Sequence, residues 1–416
     1  MKIFKFGGAS VKDATGVQNV VKVLEEVGFD DTLIVISAMG KSTNALEKVI
    51  HCYFENKTEL KSAIHELIDF HNQILTDLFP DGNVNVHNKV KSLFEELQGF
   101  LSWNKSPNYS FVYDQVVCYG ELVSTTIVSE YLNHTGVKNT WIDVRDVIKT
   151  DTNYRDAGVD WQATQQKIAT NIQKNQLYIT QGFLGSDQNN FTTTLGREGS
   201  DYTAAIFAYC LNAESVTIWK DVPGVLNADP RHFEKTELLN QISYEEAIEL
   251  AFYGASVIHP KTLQPLQRKE IPLYVKSFLN PVDNGTAVTK GHRIEPEVPC
   301  FIVKKNQVLL SLSTLDFSFM VEENISEVFK LLAEHKMKVS VIQNSAISFS
   351  VCVTNKYDRL AELLSILKAK FKVECNEHVS LYTIRHFNEK AIANIEKDKE
   401  ILLKQVSTET VQMVVR

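Results

Sequence analysis

The stretch 194–204, TLGREGSDYTA, carries groups able to grip an anion. A glycine-rich turn there opens the apolar segment 203–211, which reads as a buried helix. Free backbone N–H groups and the positive end of a helix dipole would meet at that turn. Arg197 adds a fork-shaped donor suited to a carboxylate or phosphate, and Asp201 a negative group close by. An ordinary strand–turn–helix joint with solvated charges fits the same residues. A second joint follows the strand-like residues 2–6. Gly7, Gly8 and Ser10 let the backbone close around an anion because no Cβ blocks the approach, and Lys5 is within reach. The alternative there is a tight turn with a surface lysine. In the apolar run 116–132, Glu121 follows Gly120. Buried, such a carboxylate needs a partner or a ligand; the alternative is that it faces solvent. Gly40-Lys41-Ser42 resembles the end of a phosphate loop, but the position five residues before Gly40 is Val35, which excludes a P-loop NTPase.

These residues need a scaffold to bring them together. Segments 2–6, 32–37, 140–144, 177–183, 215–220 and 272–278 read as strands. Continuous apolar runs such as TLIVIS at 32–37 suit parallel strands covered on both faces. Helical patterns lie between them. One follows the first turn through Val17, Val20, Val21 and Leu24. A helical excursion runs from 45 to roughly 103, broken at Pro80-Asp81-Gly82. Segment 116–132 reads as a single buried helix, and 151–160 as a polar loop. Ser243-Tyr244-Glu245-Glu246 has capping-box spacing and starts a helix stopped by Gly254. Strands alternating with helices predict an α/β domain with right-handed crossovers. A Pro-, Gly- and charge-rich stretch at 280–299 reads as a linker. Beyond it, strand 308–313, helix 325–335, strands 338–343 and 346–354, helix 359–370 and strand 372–375 give the βαββαβ order of a ferredoxin-like unit. Strands at 379–387, 401–405 and 410–415, with the charged stretch 388–400 among them, supply only part of a second unit.

Composition sets the outer bounds. At about 150 residues per domain, 416 residues make two or three domains. Hydrophobic content of 44% and charged content of 23% are ordinary for a globular chain. A net charge of −8 argues against nucleic acid or an anionic membrane surface as partner. No apolar run approaches the roughly 20 residues of a membrane span. The N-terminus runs into a strand without a signal-peptide pattern. Six cysteines without CxxC spacing suggest neither a zinc site nor a disulfide framework, so a reducing cytoplasm is expected.

The segments KFGGAS (5–10), VISAMGKSTN (35–44), YGELVS (119–124), QGFLG (181–185), TLGREGSDYTA (194–204), WKDVPGV (219–225), ADPR (228–231) and YEEAIELAFYGASVIHPKT (244–262), with the ferredoxin-like tail, occur in one collinear order. So arranged, the chain resembles the aspartate kinases, a branch of the amino acid kinase superfamily. The resemblance covers essentially the whole chain. It implies an amino-acid-kinase fold, a mainly parallel central sheet between helical layers, over 1–285. A linker at 286–298, an ACT domain at 306–376 and a truncated second ACT domain built from 299–305 plus 377–416 would follow. The implied reaction converts ATP and L-aspartate to ADP and 4-phospho-L-aspartate, the entry to lysine, threonine and methionine biosynthesis.

The resemblance also implies roles. Lys5 would span the phosphates and offset charge on the transferring group, with Asp201 organising Lys5, and Gly7, Gly8 and Ser10 would supply the phosphate turn. Arg197 would clamp the substrate's α-carboxylate and Glu121 its α-ammonium. Ser37, Thr43, Phe183, Glu198, Gly199 and Ser200 would complete the substrate pocket. Lys220, Asp221, Leu226 and Arg231 would meet the nucleotide, together with Ser256, Val257 and Lys261. Mg²⁺ would enter through the phosphates, with no protein metal site. Three features depart from the family pattern. Ser256 stands where a nucleotide-binding lysine is usual, with Lys261 a candidate substitute. The Glu198 carboxylate is expected to turn away from both anions. Ser340 stands where lysine-sensitive members tend to carry an aspartate, so an effector at the ACT region would not be lysine held by the familiar contacts. The tail is expected to serve homodimerisation. The competing readings are a kinase acting on glutamate or N-acetylglutamate and a non-catalytic amino-acid sensor. The YGELVS and GREGSDYTA segments argue against the first, and joint retention of Lys5, Thr43, Glu121, Arg197 and Asp201 against the second.

Overall fold

The computed structural model describes residues 1–416 except positions 256, 257, 292 and 317. The expectations at Ser256 and Val257 therefore lie outside the described residues. Two compact units divide the chain.

The first unit is built on a nine-stranded sheet. Its order is Ile294–Glu295, Gln241–Ser243, Thr286–Thr289, Leu273–Ser277, Ser215–Lys220, Lys2–Phe6, Thr32–Ile36, Leu177–Gln181 and Thr140–Ile142. Every residue of Thr32–Ile36 and Leu177–Gln181 is buried, as continuous apolar parallel strands require. Lys5 pairs with Val35 on one side and Ile218 on the other, all in parallel register. The loops after these strands consequently leave from one edge of the sheet, where open α/β sheets bind ligands. Phe4, Phe6, Ile34, Ile36 and Ile179 share a core with helices Ala14–Val27 and Tyr119–His134. Helix Gly199–Leu211 packs on strands Lys2–Phe6, Thr32–Ile36 and Ser215–Lys220.

Two elements differ from the sequence reading. The run 116–132 is not one helix: Tyr109–Val117 ends at Cys118 and Tyr119–His134 begins there, with no side-chain cap. Nothing in the apolar pattern marks this break. Tertiary contacts fix it, since Ser124 Oγ donates to the Ser37 carbonyl at 2.7 Å and Gly120 packs where a Cβ would lie 3.0 Å from Ala38 Cβ. The stretch 286–298 is not a bare linker either. Thr286–Thr289 pairs antiparallel with Leu273–Ser277 and parallel with Gln241–Ser243. Gly285, at φ 66°, makes that return, because a Cβ there would lie 2.2 Å from the Val275 carbonyl oxygen. Buried Thr286 Oγ1 then donates to the Leu239 carbonyl and accepts from Val225 N–H.

The second unit comprises Leu226–Glu237, the stretch beginning at Glu249 and Glu295–Arg416. It thus recruits segments from inside the span expected to be catalytic. Its antiparallel sheet runs Lys338–Asn344, Ser348–Thr354, Cys300–Thr314, Phe371–Arg385, Thr410–Val415 and Ile401–Val406. Cys300–Thr314 and Phe371–Arg385 are long enough to pass through both ferredoxin-like halves, and their register shifts between Lys304 and Leu309. One half carries helices Glu322–Glu334 and Leu360–Lys368. The other has the short helix Glu389–Glu396, within the stretch that the sequence reading marked only as charged. Asn388 caps that helix through Ala391 N–H, and Ala391 and Ile395 fill its buried side. Its charges mask a two-residue apolar face in the sequence.

Candidate active site

A cavity of about 490 Å³ opens in the first unit beside the ends of the parallel strands. Lys5 enters it from the first strand and is buried. Its Nζ lies 2.6 Å from Asp201 Oδ1, in the first turn of helix Gly199–Leu211. Asp201 is buried as well, so the two make a buried ion pair, and a three-donor ammonium engaged by one carboxylate oxygen keeps donors for a ligand. A carboxylate in a first helical turn also sits favourably against the helix dipole.

Glu121 lies in the first turn of Tyr119–His134 and is buried. Oε1 accepts from Ala38 N–H at 3.3 Å, whereas Oε2 is buried with no hydrogen-bond partner among the described residues. Burial pushes this carboxyl up to about 8, opposed by the Ala38 hydrogen bond and by Lys5. An orphaned carboxylate oxygen at the wall of a cavity suits a cationic ligand group.

The turn 194–200 packs against the turn after Leu177–Gln181. A Cβ on Gly182 would lie 2.4 Å from Ser200 Cβ, and one on Gly199 2.6 Å from Phe183 Cδ2. Phe183 (φ 71°) and Glu198 (φ 54°) hold left-handed backbone, a conformation costing roughly 1–3 kcal/mol per non-glycine residue that persists where surroundings over-determine it. Arg197 is exposed, and among the described residues it has no ion-pair partner.

The cavity brings together Lys5, Ser37, Thr43, Glu121, Phe183, Arg197, Glu198, Gly199, Ser200, Asp201 and Lys220, all expected from the sequence. Glu198 lines it, contrary to the expectation that it turns away, and its Oε2 is buried without a hydrogen-bond partner among the described residues. Gly7 and Gly8 form the turn after Lys5 outside the lining. The Gly8 carbonyl accepts from Gly40 N–H, and a Cβ on Gly8 would lie 2.7 Å from the Ala38 carbonyl oxygen. Ser10 is buried, with its hydroxyl on the Trp219 carbonyl. Asp221 is exposed outside the lining. Lys261, the candidate substitute, pairs with Asp156. Leu226 and Arg231 belong to the second unit, where Arg231 forms a bidentate pair with Asp229.

Three lining residues escaped the sequence reading: Tyr113, Arg155 and Gly196. Gly196 lay inside a recognised motif. Tyr113 belongs to a helix whose start the apolar pattern hid, and Arg155 to a loop that looked merely polar.

The residues 1–277 match the model of the amino acid kinase family. Lysine-sensitive aspartokinase 3 of Escherichia coli K12 is 34% identical over 396 residues, covering 92% of this chain and 86% of that one. Two solved structures of E. coli aspartokinase III cover 100% of this chain and 96% of theirs. The complex with lysine and aspartate (T-state) has a TM-score of 0.83 at 29% identity. The complex with aspartate and ADP (R-state) has a TM-score of 0.80 at 30% identity. The α/β sheet with a cavity at its edge thus has its relatives: the chain belongs to the amino acid kinase family, and within it to the aspartokinases.

Proposed function

We propose that this aspartokinase transfers the γ-phosphoryl group of ATP to the side-chain carboxylate of L-aspartate, giving 4-phospho-L-aspartate. The observation that carries the reading is the single cavity joining the Lys5–Asp201 pair, the orphaned Glu121 oxygen and the unpaired Arg197. The attacking carboxylate is already ionised near neutral pH, so no general base is needed. Catalysis then rests on positioning and charge stabilisation. Lys5 neutralises charge developing on the transferring group and Asp201 holds it in line. Glu121 receives the α-ammonium and Arg197 the α-carboxylate. Ser37, Thr43 and Ser200 shape the pocket, and Phe183 walls it. Gly7 and Gly8 offer backbone donors at the phosphate end, and Lys220 meets the nucleotide. Among the described residues no cluster of three His, Cys, Asp or Glu could hold a metal; Mg²⁺ fits as an ion carried by the phosphates, whose charge it would screen.

The wider assignments belong to the same reading. The product feeds lysine, threonine and methionine biosynthesis. The tail is read as one full ACT domain at 306–376 and one truncated ACT domain built from 299–305 plus 377–416, taking an amino-acid effector and pairing two copies. Among the described residues no helix is long and apolar enough to cross a membrane. Six free cysteines suit a reducing cytoplasm.

The test is ADP release with aspartate, glutamate and N-acetylglutamate in parallel. Turnover is expected with aspartate alone, and Lys5→Ala and Asp201→Ala should each lower kcat by about 10²–10³-fold. Variants as active as the parent would end this assignment.

A further inference from the structure

Arg155 is a cavity residue with no role in the preceding scheme. Its backbone is left-handed, at φ 73°, where glycine would sit unstrained. Its guanidinium lies over the Tyr113 ring, 4.4 Å from the centroid, and 5.6 Å from that of Tyr109. Such stacking orients a guanidinium while leaving its in-plane donors open. Among the described residues the Arg155 side chain has no ion-pair or hydrogen-bond partner.

The loop bearing Arg155 is fastened to the turn bearing Arg197. Buried Asp114 Oδ2 accepts from both Arg155 N–H (3.1 Å) and Thr194 N–H (2.8 Å), while Oδ1 accepts from Thr194 Oγ1. Ala157 N–H donates to the Thr194 carbonyl at 2.9 Å. Gly196 admits the loop, since a Cβ there would lie 2.6 Å from Asp156 Oδ1. Two guanidinium groups without an ion-pair partner among the described residues thus leave adjoining, cross-braced segments into one cavity.

We propose that Arg155, on its Tyr113 platform, is a second substrate-binding guanidinium that grips the α-carboxylate of the acidic substrate together with Arg197. A carboxylate has enough lone pairs for both forks. This rests on the aspartate kinase reading. It adds a selectivity element, because a substrate with a neutral α-amide would leave two cations unanswered.

The test compares L-aspartate with its α-amide, which keeps the reacting side-chain carboxylate. Arg155→Gly relieves the left-handed backbone while deleting the side chain, so its melting temperature is expected to match or exceed the parent's. In Arg155→Gly, KM and the calorimetric Kd for aspartate are expected to rise about tenfold, with the α-amide's KM changing less than about threefold and the KM for ATP unchanged. Arg155→Lys should fall between the two, having charge without the fork. An unchanged aspartate KM, or an equal rise for both substrates, would overturn the proposal. A parent protein that neither binds nor phosphorylates aspartate would overturn the functional reading and this proposal with it; one active on aspartate yet indifferent to Arg155 overturns the proposal alone.

Discussion

Glu121 combines burial, one hydrogen bond to a carboxylate oxygen and one oxygen left bare. In the ligand-free protein its carboxyl is pushed up to about 8, so near neutral pH it is largely protonated. An α-ammonium needs the ionised form and would pull the proton off on binding. The aspartate KM is therefore expected to fall as pH rises towards about 8, and binding at pH 7 to release a proton, measurable by calorimetry in buffers of different ionisation enthalpy. Glu121→Gln should flatten that profile and raise KM by about 10–100-fold, the worth of a hydrogen bond to a charged group. Stability runs the other way. Because the folded pKa lies above the unfolded value, the contribution is complete below pH 4.5 and is lost as pH rises to about 8. Glu121→Gln should remove that decline from a melting-temperature series. A parent KM for aspartate that is flat between pH 6 and 9 would refute the assignment of Glu121 to the ammonium.

At the scale of elements, the site depends on turns pressed together more closely than side chains allow. Gly182 has Ser200 Cβ at 2.4 Å and Cα at 2.7 Å from where its own Cβ would stand, so Gly182→Ala must displace the turn that carries Ser200. We expect it to lower kcat/KM at least tenfold and to destabilise the protein by about 1–3 kcal/mol, as overpacking does. Gly99, inside helix Val84–Trp103, meets nothing within 4 Å. There the same substitution should stabilise by about 0.5–1 kcal/mol and leave activity intact. Chemical denaturation with steady-state kinetics on both variants checks this pair. A Gly182→Ala enzyme of normal activity would show that the turn contact does not position the substrate. The same logic explains the helix break at Cys118: packing on Ala38 and Ser37, not local propensity, sets where Glu121 stands.

For the whole molecule, the second unit bears on regulation and assembly. In that unit Lys304 Nζ donates to Ser340 Oγ at 3.4 Å, and burial, then repulsion from Lys338, lowers the Lys304 pKa. An ammonium of the chain itself thus occupies the surroundings of Ser340. Sub-millimolar lysine is expected to leave both activity and melting temperature unchanged, read beside threonine and methionine with and without ATP and aspartate. Inhibition by lysine in that range would overturn the expectation. Phe319 is exposed, and Met320 N–H donates to the Ala346 carbonyl, which brings Phe319 near exposed Ile347. Apolar residues grouped in this way suit a subunit contact. Light scattering should return twice the 47.1 kDa chain mass, and Phe319→Glu should halve it.

By itself the sequence determined the α/β class and the main parallel strands, and it marked Lys5, Glu121, Arg197 and Asp201, which the fold gathers in one cavity, because those depend on short-range patterns: apolar runs, glycine turns and charged side chains at strand ends. It could not reveal that 286–289 returns as a strand, that 226–237 joins the second unit, or that 389–396 coils into a helix. Each of these is decided by a partner distant in the chain. Arg155 is the sharpest case. As a residue in a polar loop it carries no local signal. Long-range contacts, chief among them Asp114 bonding two segments about 40 and 80 residues away, bring it to the cavity, because buried carboxylate oxygens must find donors wherever the fold supplies them.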